Sequence, residues 1–283
     1  MRSKNINLLN TRQQLKKKLD EKSEDFPGNT ALLLISHVLR KPKSWILAHN
    51  EYELTSLETE SLQALLSRFS QGIPLPYLLG QWEFFRRTYR LSPEVLIPRP
   101  ETELLVENAL EHLANWPNPR VLDVGTGSGI IAISLAAACP TARVTAVDMS
   151  WHALKIAQLN ARDHLQNNIQ FLQANLLTPL QGKFEMICSN PPYLPSKTYQ
   201  RLPVSRYEPR LALDGGEDGM DVIRELLQQA KTRLASPGVL LFEIEANQGQ
   251  ACLAAAQDHF PQAHCRLHQD LGGHDRLIEV QAA

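Results

Sequence analysis

From residue 117 onward the chain alternates two periodicities, and that alternation narrows the fold more than any other feature. Short apolar runs at 120–124, 143–147, 169–173, 184–189 and 239–244 read as strands. Between them lie helical stretches, among them 130–138 and 152–163. Strand and helix in repeated alternation predict a mostly parallel sheet with helices on both faces. Ligands on such sheets bind beyond the carboxyl ends of the strands, where the topology switches. Two unusual sequences fall at such ends.

The first is Asp123-Val124-Gly125-Thr126-Gly127-Ser128-Gly129. Its glycines alternate, and the third glycine of a dinucleotide pattern would fall on Ile130, which disfavours nicotinamide or flavin. A turn without Cβ atoms lets the backbone approach a ligand closely. The helix that follows presents free N–H groups to a carboxylate. Asp123 is placed to meet an ammonium, with Thr126 and Ser128 in the same turn. Asp148 ends the next strand, about 20 residues on, where an acid accepts ribose hydroxyls. Asn175 ends the third strand and is placed to approach an adenine ring, with Leu176 packing beside it.

The second is Asn190-Pro191-Pro192-Tyr193, which follows the strand-like run Phe184-Glu185-Met186-Ile187-Cys188. The Asn190 side chain and the Pro191 backbone each offer a carbonyl, and two acceptors fix both hydrogens of a planar NH2 group. The prolines stiffen the turn, and Tyr193 can pack against the substrate plane. A nucleotide-like cofactor upstream and an NH2 clamp downstream suggest methyl transfer from S-adenosylmethionine to an amide or exocyclic amine nitrogen. Positioning does most of such chemistry, and no general base is required.

The first 75 or so residues read as a small amphipathic bundle. Leu8, Leu9, Leu15 and Leu19 recur at helical spacing, Asn29 is expected to cap a second helix, and Thr55-Ser56-Leu57-Glu58 has the capping-box pattern, with Gly72 as a stop. No chemical motif lies there, so a substrate-docking role is the functional reading. Residues 76–100 are expected to form a linker with a hairpin, and 101–283 the domain carrying the chemistry. The Pro-rich segment 194–219 has the length of a lid or binding loop.

Lys plus Arg number 29 against 30 Asp plus Glu, a balance that disfavours a dedicated nucleic-acid binder. Cys139, Cys188, Cys252 and Cys265 form no Cys-x-x-Cys pair and read as reduced thiols of a cytoplasmic protein. His259, His264, Cys265, His268 and His274 match no common zinc spacing, so no metal is expected. The N-terminus is polar and no apolar run approaches a membrane span, so neither a signal peptide nor a membrane segment is expected.

On these motifs the chain resembles the release-factor glutamine N5-methyltransferases, the PrmC/HemK family. The resemblance extends to Val95-Leu96-Ile97-Pro98-Arg99-Pro100-Glu101-Thr102-Glu103, to Tyr207-Glu208-Pro209-Arg210-Leu211-Ala212-Leu213 and to Gly215-Gly216-Glu217-Asp218-Gly219. It implies an α/β fold, a Rossmann-like seven-stranded class I methyltransferase sheet behind an N-terminal helical bundle. The implied substrate is the glutamine of the Gly-Gly-Gln loop in class I peptide-chain release factors. Asn190, Pro191 and Tyr193 would hold the amide; Gly125, Gly127, Gly129 and Asp148 would hold S-adenosylmethionine. Two positions depart from the family pattern: Arg86 and Glu245 stand where glycine is common.

Two rival readings remain. A nucleic-acid amine methylase of the same fold would need a target-recognition region and a basic surface, and this chain has neither to spare. A noncatalytic adaptor would have no need of two aligned acceptors.

Overall fold

The computed structural model describes residues 7–21 and 26–282. The polar residues 1–6 lie outside the described residues. The chain divides into two compact units, Met1–Gly80 and Gln81–Ala283. The first therefore runs past residue 75, and the stretch read as a linker is shared between the two.

The first unit is helical: α1 (Leu8–Asp20), α2 (Pro27–Leu39), α3 (Lys43–Ala48), α4 (Ser56–Ser70) and α5 (Leu75–Leu79). Its core joins Leu8, Leu15 and Leu19 to Leu34, Ile35, Ile46, Leu62, Leu65 and Leu78. Leu9, on the other face of α1, is exposed. The Thr55 hydroxyl accepts from the Glu58 N–H at 3.2 Å, and the Glu58 carboxylate accepts from the Thr55 N–H at 2.8 Å, closing the capping box. Asn29 does not cap α2. The helix begins at Pro27, whose fixed φ and missing N–H suit the first helical position, so Asn29 lies inside it.

The second unit opens with a hairpin, β1 (Gln81–Phe84) and β2 (Arg87–Arg90). Phe85 and Arg86, the two residues between the strands, have φ of 46° and 60°. Positive φ at both central residues is the type I′ turn, which twists with the strands. The Phe85 N–H is held by Glu103 Oε1 at 2.8 Å. Arg86 is exposed and has no glycine's freedom here. Left-handed backbone costs a side-chain-bearing residue about 1–2 kcal/mol, and glycine's extra unfolded-chain entropy costs about 0.5–1 kcal/mol. Arg86→Gly is therefore expected to stabilise the fold by about 0.5–1 kcal/mol. An unchanged or lower urea midpoint would contradict this.

Beyond the hairpin come α6 (Thr102–Leu113), β3 (Arg120–Val124), α7 (Ile130–Ala138), β4 (Arg143–Asp148), α8 (Trp151–Asp163), β5 (Ile169–Gln173), β6 (Phe184–Ser189), α9 (Ser196–Tyr199), α10 (Asp221–Arg233), β7 (Leu234–Glu243), α11 (Gly249–His259), β8 (His264–Gln269) and β9 (Asp275–Ala282). Seven strands form one sheet in the order β5-β4-β3-β6-β7-β9-β8. The first five are parallel, and β9 runs antiparallel to both β7 and β8. Side chains alternate between the two faces, as the strand period requires. Val121, Met186, Cys188 and Leu241 pack with α6 and α7 on one face. Leu122, Ile187, Leu240 and Phe242 pack with α10 and α11 on the other.

The C-terminal histidines divide by this geometry. His268 Nε2 lies 2.8 Å from Glu279 Oε2, and His112 Nε2 lies 3.5 Å from Glu279 Oε1. The two imidazoles hold the Glu279 carboxyl well below the usual carboxylate range. Among the described residues no group of three His, Cys, Asp or Glu side chains is arranged to hold a metal ion. No helix of the described residues is long and apolar enough to cross a membrane.

Candidate functional site

The chain runs outward from β3 through β4 to β5, then returns to the other side of β3 as β6. The switch lies between β3 and β6, and a crevice opens there at the carboxyl ends of the strands. It is a cavity of about 740 Å³, within the range of small-molecule and cofactor sites. Gly125, Thr126, Gly127, Ser128, Asp148, Asn175, Leu176, Asn190 and Pro192 all line it.

The glycine turn is fixed from below. The N–H groups of Gly125 and Thr126 both bond the Val147 carbonyl at 2.9 Å. Gly125 and Gly127 have φ of +71° and +55°; a Cβ would meet open space at Gly125 and only the Gly125 carbonyl oxygen, at 4.0 Å, at Gly127. Gly129 serves another purpose: a Cβ there would lie 3.0 Å from Ile133 Cδ1 and 3.1 Å from Ala157 Cβ. It therefore lets α7 and α8 close together beneath the turn.

Asp123 sits under the turn and not in the cavity wall. It is 0% exposed. Its Oδ2 accepts from the Thr126 hydroxyl at 2.6 Å and the Ala132 N–H at 3.1 Å, while Oδ1 is buried without a hydrogen-bond partner. Burial pushes its carboxyl up to about 7, against the pull of those two hydrogen bonds. Asp123 thus braces the turn from inside, and its second oxygen is an unsatisfied acceptor next to the site.

Asp148 does reach the cavity. Its Oδ2 accepts from the Gly127 N–H and its Oδ1 from the Ser150 N–H, both at 2.8 Å. Burial raises its pKa, opposed by these backbone hydrogen bonds. One carboxylate therefore ties the glycine turn to the end of β4 and keeps lone pairs for a ligand. Asn175 and Leu176 follow β5 on the same wall, Leu176 with a left-handed φ of 49°.

Asn190 leaves β6 with its side-chain Nδ2 donating to Thr102 Oγ1 at 3.0 Å. Thr102 in turn donates to Glu243 Oε2 at 2.7 Å. Tyr193 donates its hydroxyl to Glu243 Oε1 at 3.2 Å and packs against the core, not along the cavity. Pro191 is buried, and Pro192 lines the cavity. The Asn-Pro-Pro-Tyr turn is thus anchored at both ends on one carboxylate.

Thr102 and Glu243 escaped the reading of the sequence as site residues. Glu243 carried a signal, an acid inside the apolar run 239–244; it is only 2% exposed. Burial lifts its carboxyl to about 7, against the hydrogen bonds from Thr102 and Tyr193. Glu208 was missed in the same way. It is buried and accepts from the Ile97 N–H at 3.1 Å and from Arg99 at 2.6 Å. It therefore binds the segment before α6 to the loop after β6, and both contribute to the cavity wall through Arg99, Pro209 and Leu211.

Comparison with known proteins agrees with this architecture. Residues 100–203 match the methyltransferase small domain family and residues 10–80 the PrmC N-terminal domain family. Among solved structures, a ribosomal protein L11 methylase from Lactobacillus delbrueckii subsp. bulgaricus superposes with a TM-score of 0.51 at 22% identity, covering 71% of this chain and 90% of that one. A methyltransferase from Pyrococcus furiosus does so with a TM-score of 0.52 at 15% identity, covering 77% and 96%. These likenesses establish the fold. Closer in sequence is the release factor glutamine methyltransferase of Vibrio cholerae serotype O1, 38% identical over 92% of this chain and 91% of its own length. That of Moorella thermoacetica is 42% identical over 85% of each chain. That of Chlorobaculum tepidum is 40% identical over 93% of this chain and 92% of its own length. With relatives this similar over nearly its whole length, the chain belongs to the release factor glutamine methyltransferase family.

Proposed function

We propose that this protein transfers a methyl group from S-adenosylmethionine to the side-chain amide nitrogen of a glutamine in a peptide-chain release factor, that of its Gly-Gly-Gln loop. The observation that carries this reading is the joining of the glycine turn, Asp148 and Asn190 around one cavity. The residues present fit the cofactor. The turn of Gly125, Thr126, Gly127 and Ser128 offers close backbone approach, with Gly129 packing the helices beneath it, and Asp148 offers an acceptor for ribose hydroxyls. Asn175 and Leu176 form a wall for adenine. The buried Oδ1 of Asp123 is an acceptor still lacking a donor, which suits a cationic ammonium close to the turn.

When bound, S-adenosylmethionine would supply an electrophilic sulfonium methyl for transfer to the amide nitrogen, with the neutral thioether as leaving group and one amide proton lost to solvent. The chain's own contribution is to hold the acceptor nitrogen. Asn190 Oδ1 and the Pro191 carbonyl take the two amide hydrogens, so the lone pair faces the donor side of the cavity. Pro192 closes the wall, and Tyr193 fixes the turn through its hydroxyl. Effective molarity from such fixed geometry lowers barriers by about 7–11 kcal/mol in well-oriented systems.

The helical unit is assigned to docking of the release factor. Deleting residues 1–80 is expected to leave S-adenosylhomocysteine binding within a few fold and to slow methylation of the intact factor several-fold. Full-rate methylation by the truncated enzyme would remove that role. The four thiols are free, which suits a reducing, cytoplasmic setting. The test of the function itself is mass spectrometry of a release factor incubated with the enzyme and S-adenosylmethionine.

A further inference from the structure

We infer that Thr102 and Glu243 are positioning residues that set which face of the Asn190 amide is offered to the substrate. This rests on the reading of Asn190 as the amide acceptor. The two ends of a carboxamide are nearly the same size, so sterics alone do not decide between them. Hydrogen bonding does. Glu243 is buried with both oxygens accepting, Oε2 from the Thr102 hydroxyl and Oε1 from the Tyr193 hydroxyl. The single hydroxyl proton of Thr102 is thereby committed to Glu243. Thr102 Oγ1 then faces Asn190 with a lone pair only, and Asn190 must answer with its NH2 group, as it does at 3.0 Å.

The consequence lies on the far side of the amide. With Nδ2 held by Thr102, Oδ1 is the end left for a ligand. Were the amide reversed, Oδ1 would meet the Thr102 lone pair, and the NH2 group would confront the substrate's own NH2, donor against donor. The acceptor at Glu243 Oε2 is relayed through the Thr102 hydroxyl into an acceptor at the reacting amide. The same carboxylate holds Tyr193, so Glu243 joins the first and last residues of the Asn-Pro-Pro-Tyr turn to β7 and the start of α6.

Thr102→Val keeps the shape and removes the hydroxyl; Thr102→Ser keeps the hydroxyl. Single-turnover methylation of a release factor is expected to slow roughly tenfold or more in Thr102→Val, because small misplacements of a reacting group cost up to about 10²-fold. Thr102→Ser should recover to within a few fold, and S-adenosylhomocysteine affinity should stay near wild type in both, which also reports an intact fold. Glu243→Gln, which places a donor where an acceptor is needed, should slow transfer to a similar degree. On an Asn190→Ala background Thr102→Val should add nothing, since its effect passes through Asn190. A wild-type rate in Thr102→Val, a serine variant as slow as valine, or full additivity with Asn190→Ala would each overturn the assignment. A wild-type rate in Asn190→Ala alone would instead overturn the amide-acceptor reading beneath it.

Discussion

Asn190→Ala is expected to lower methyl transfer roughly 10²- to 10³-fold while S-adenosylmethionine binding stays within a few fold. The side chain lies just past the end of β6, in the wall of the cavity that the glycine turn also lines. Its loss removes one of two acceptors for the substrate NH2 group, which is then free to rotate its lone pair out of line. Loss of one preorganised polar contact of this kind costs about 2.7–4 kcal/mol in the transition state. Asn190→Asp probes the same point differently. It keeps the size and an acceptor but puts an anion beside Thr102 Oγ1, where Asn190 now donates. Both variants are measured by single-turnover assays on a release factor, beside calorimetry with S-adenosylhomocysteine. Parallel losses of rate and affinity would assign Asn190 to cofactor binding instead.

Asp148→Ala is expected to weaken S-adenosylhomocysteine binding roughly 10- to 100-fold, because hydrogen bonds to a charged group contribute about 1.5–3 kcal/mol. The effect has two parts. The ribose hydroxyls lose their acceptor, and the Gly127 N–H loses the carboxylate that ties the turn to β4. Asp148→Asn keeps an oxygen for the Gly127 N–H but removes the charge and turns its NH2 toward the Ser150 N–H, so affinity should fall while the tie to the glycine turn is kept. An unchanged dissociation constant in Asp148→Ala would remove this residue from the site.

Those two residues were legible in the sequence because each acts at its own strand end. Asp148 closes β4 and Asn190 follows β6, and both strands announce themselves as apolar runs. The same locality made β3, β5 and α7 readable to the residue. β7 begins earlier than the expected run 239–244, at Leu234, and passes through Ser236-Pro237-Gly238. β8 and β9 left no clear pattern in the residues. β8 carries two histidines and an arginine at the sheet edge, and β9 buries Glu279 in its middle. Their place comes from antiparallel pairing with β7 and with each other.

The illegible part of the site is long-range. Asn190 meets Thr102 across 88 residues, Thr102 meets Glu243 across 141, and Arg99 meets Glu208 across 109. No local pattern encodes such pairs. The two stretches 95–103 and 207–219 meet at Glu208, far apart in sequence. At Asp123 the sequence shows only the acid before the glycine turn: packing turns Oδ2 inward to Thr126 and Ala132, and Oδ1 is left without a partner.

The most direct measurement is tandem mass spectrometry of a class I release factor after incubation with this enzyme and S-adenosylmethionine, beside a parallel incubation with Asn190→Ala. A single added methyl on the glutamine of the Gly-Gly-Gln peptide, present with the wild-type enzyme and nearly absent with the variant, is the expected result. An unmodified glutamine, with the methyl group found instead on a nucleic-acid amine, would contradict the assignment of this cavity to a protein amide.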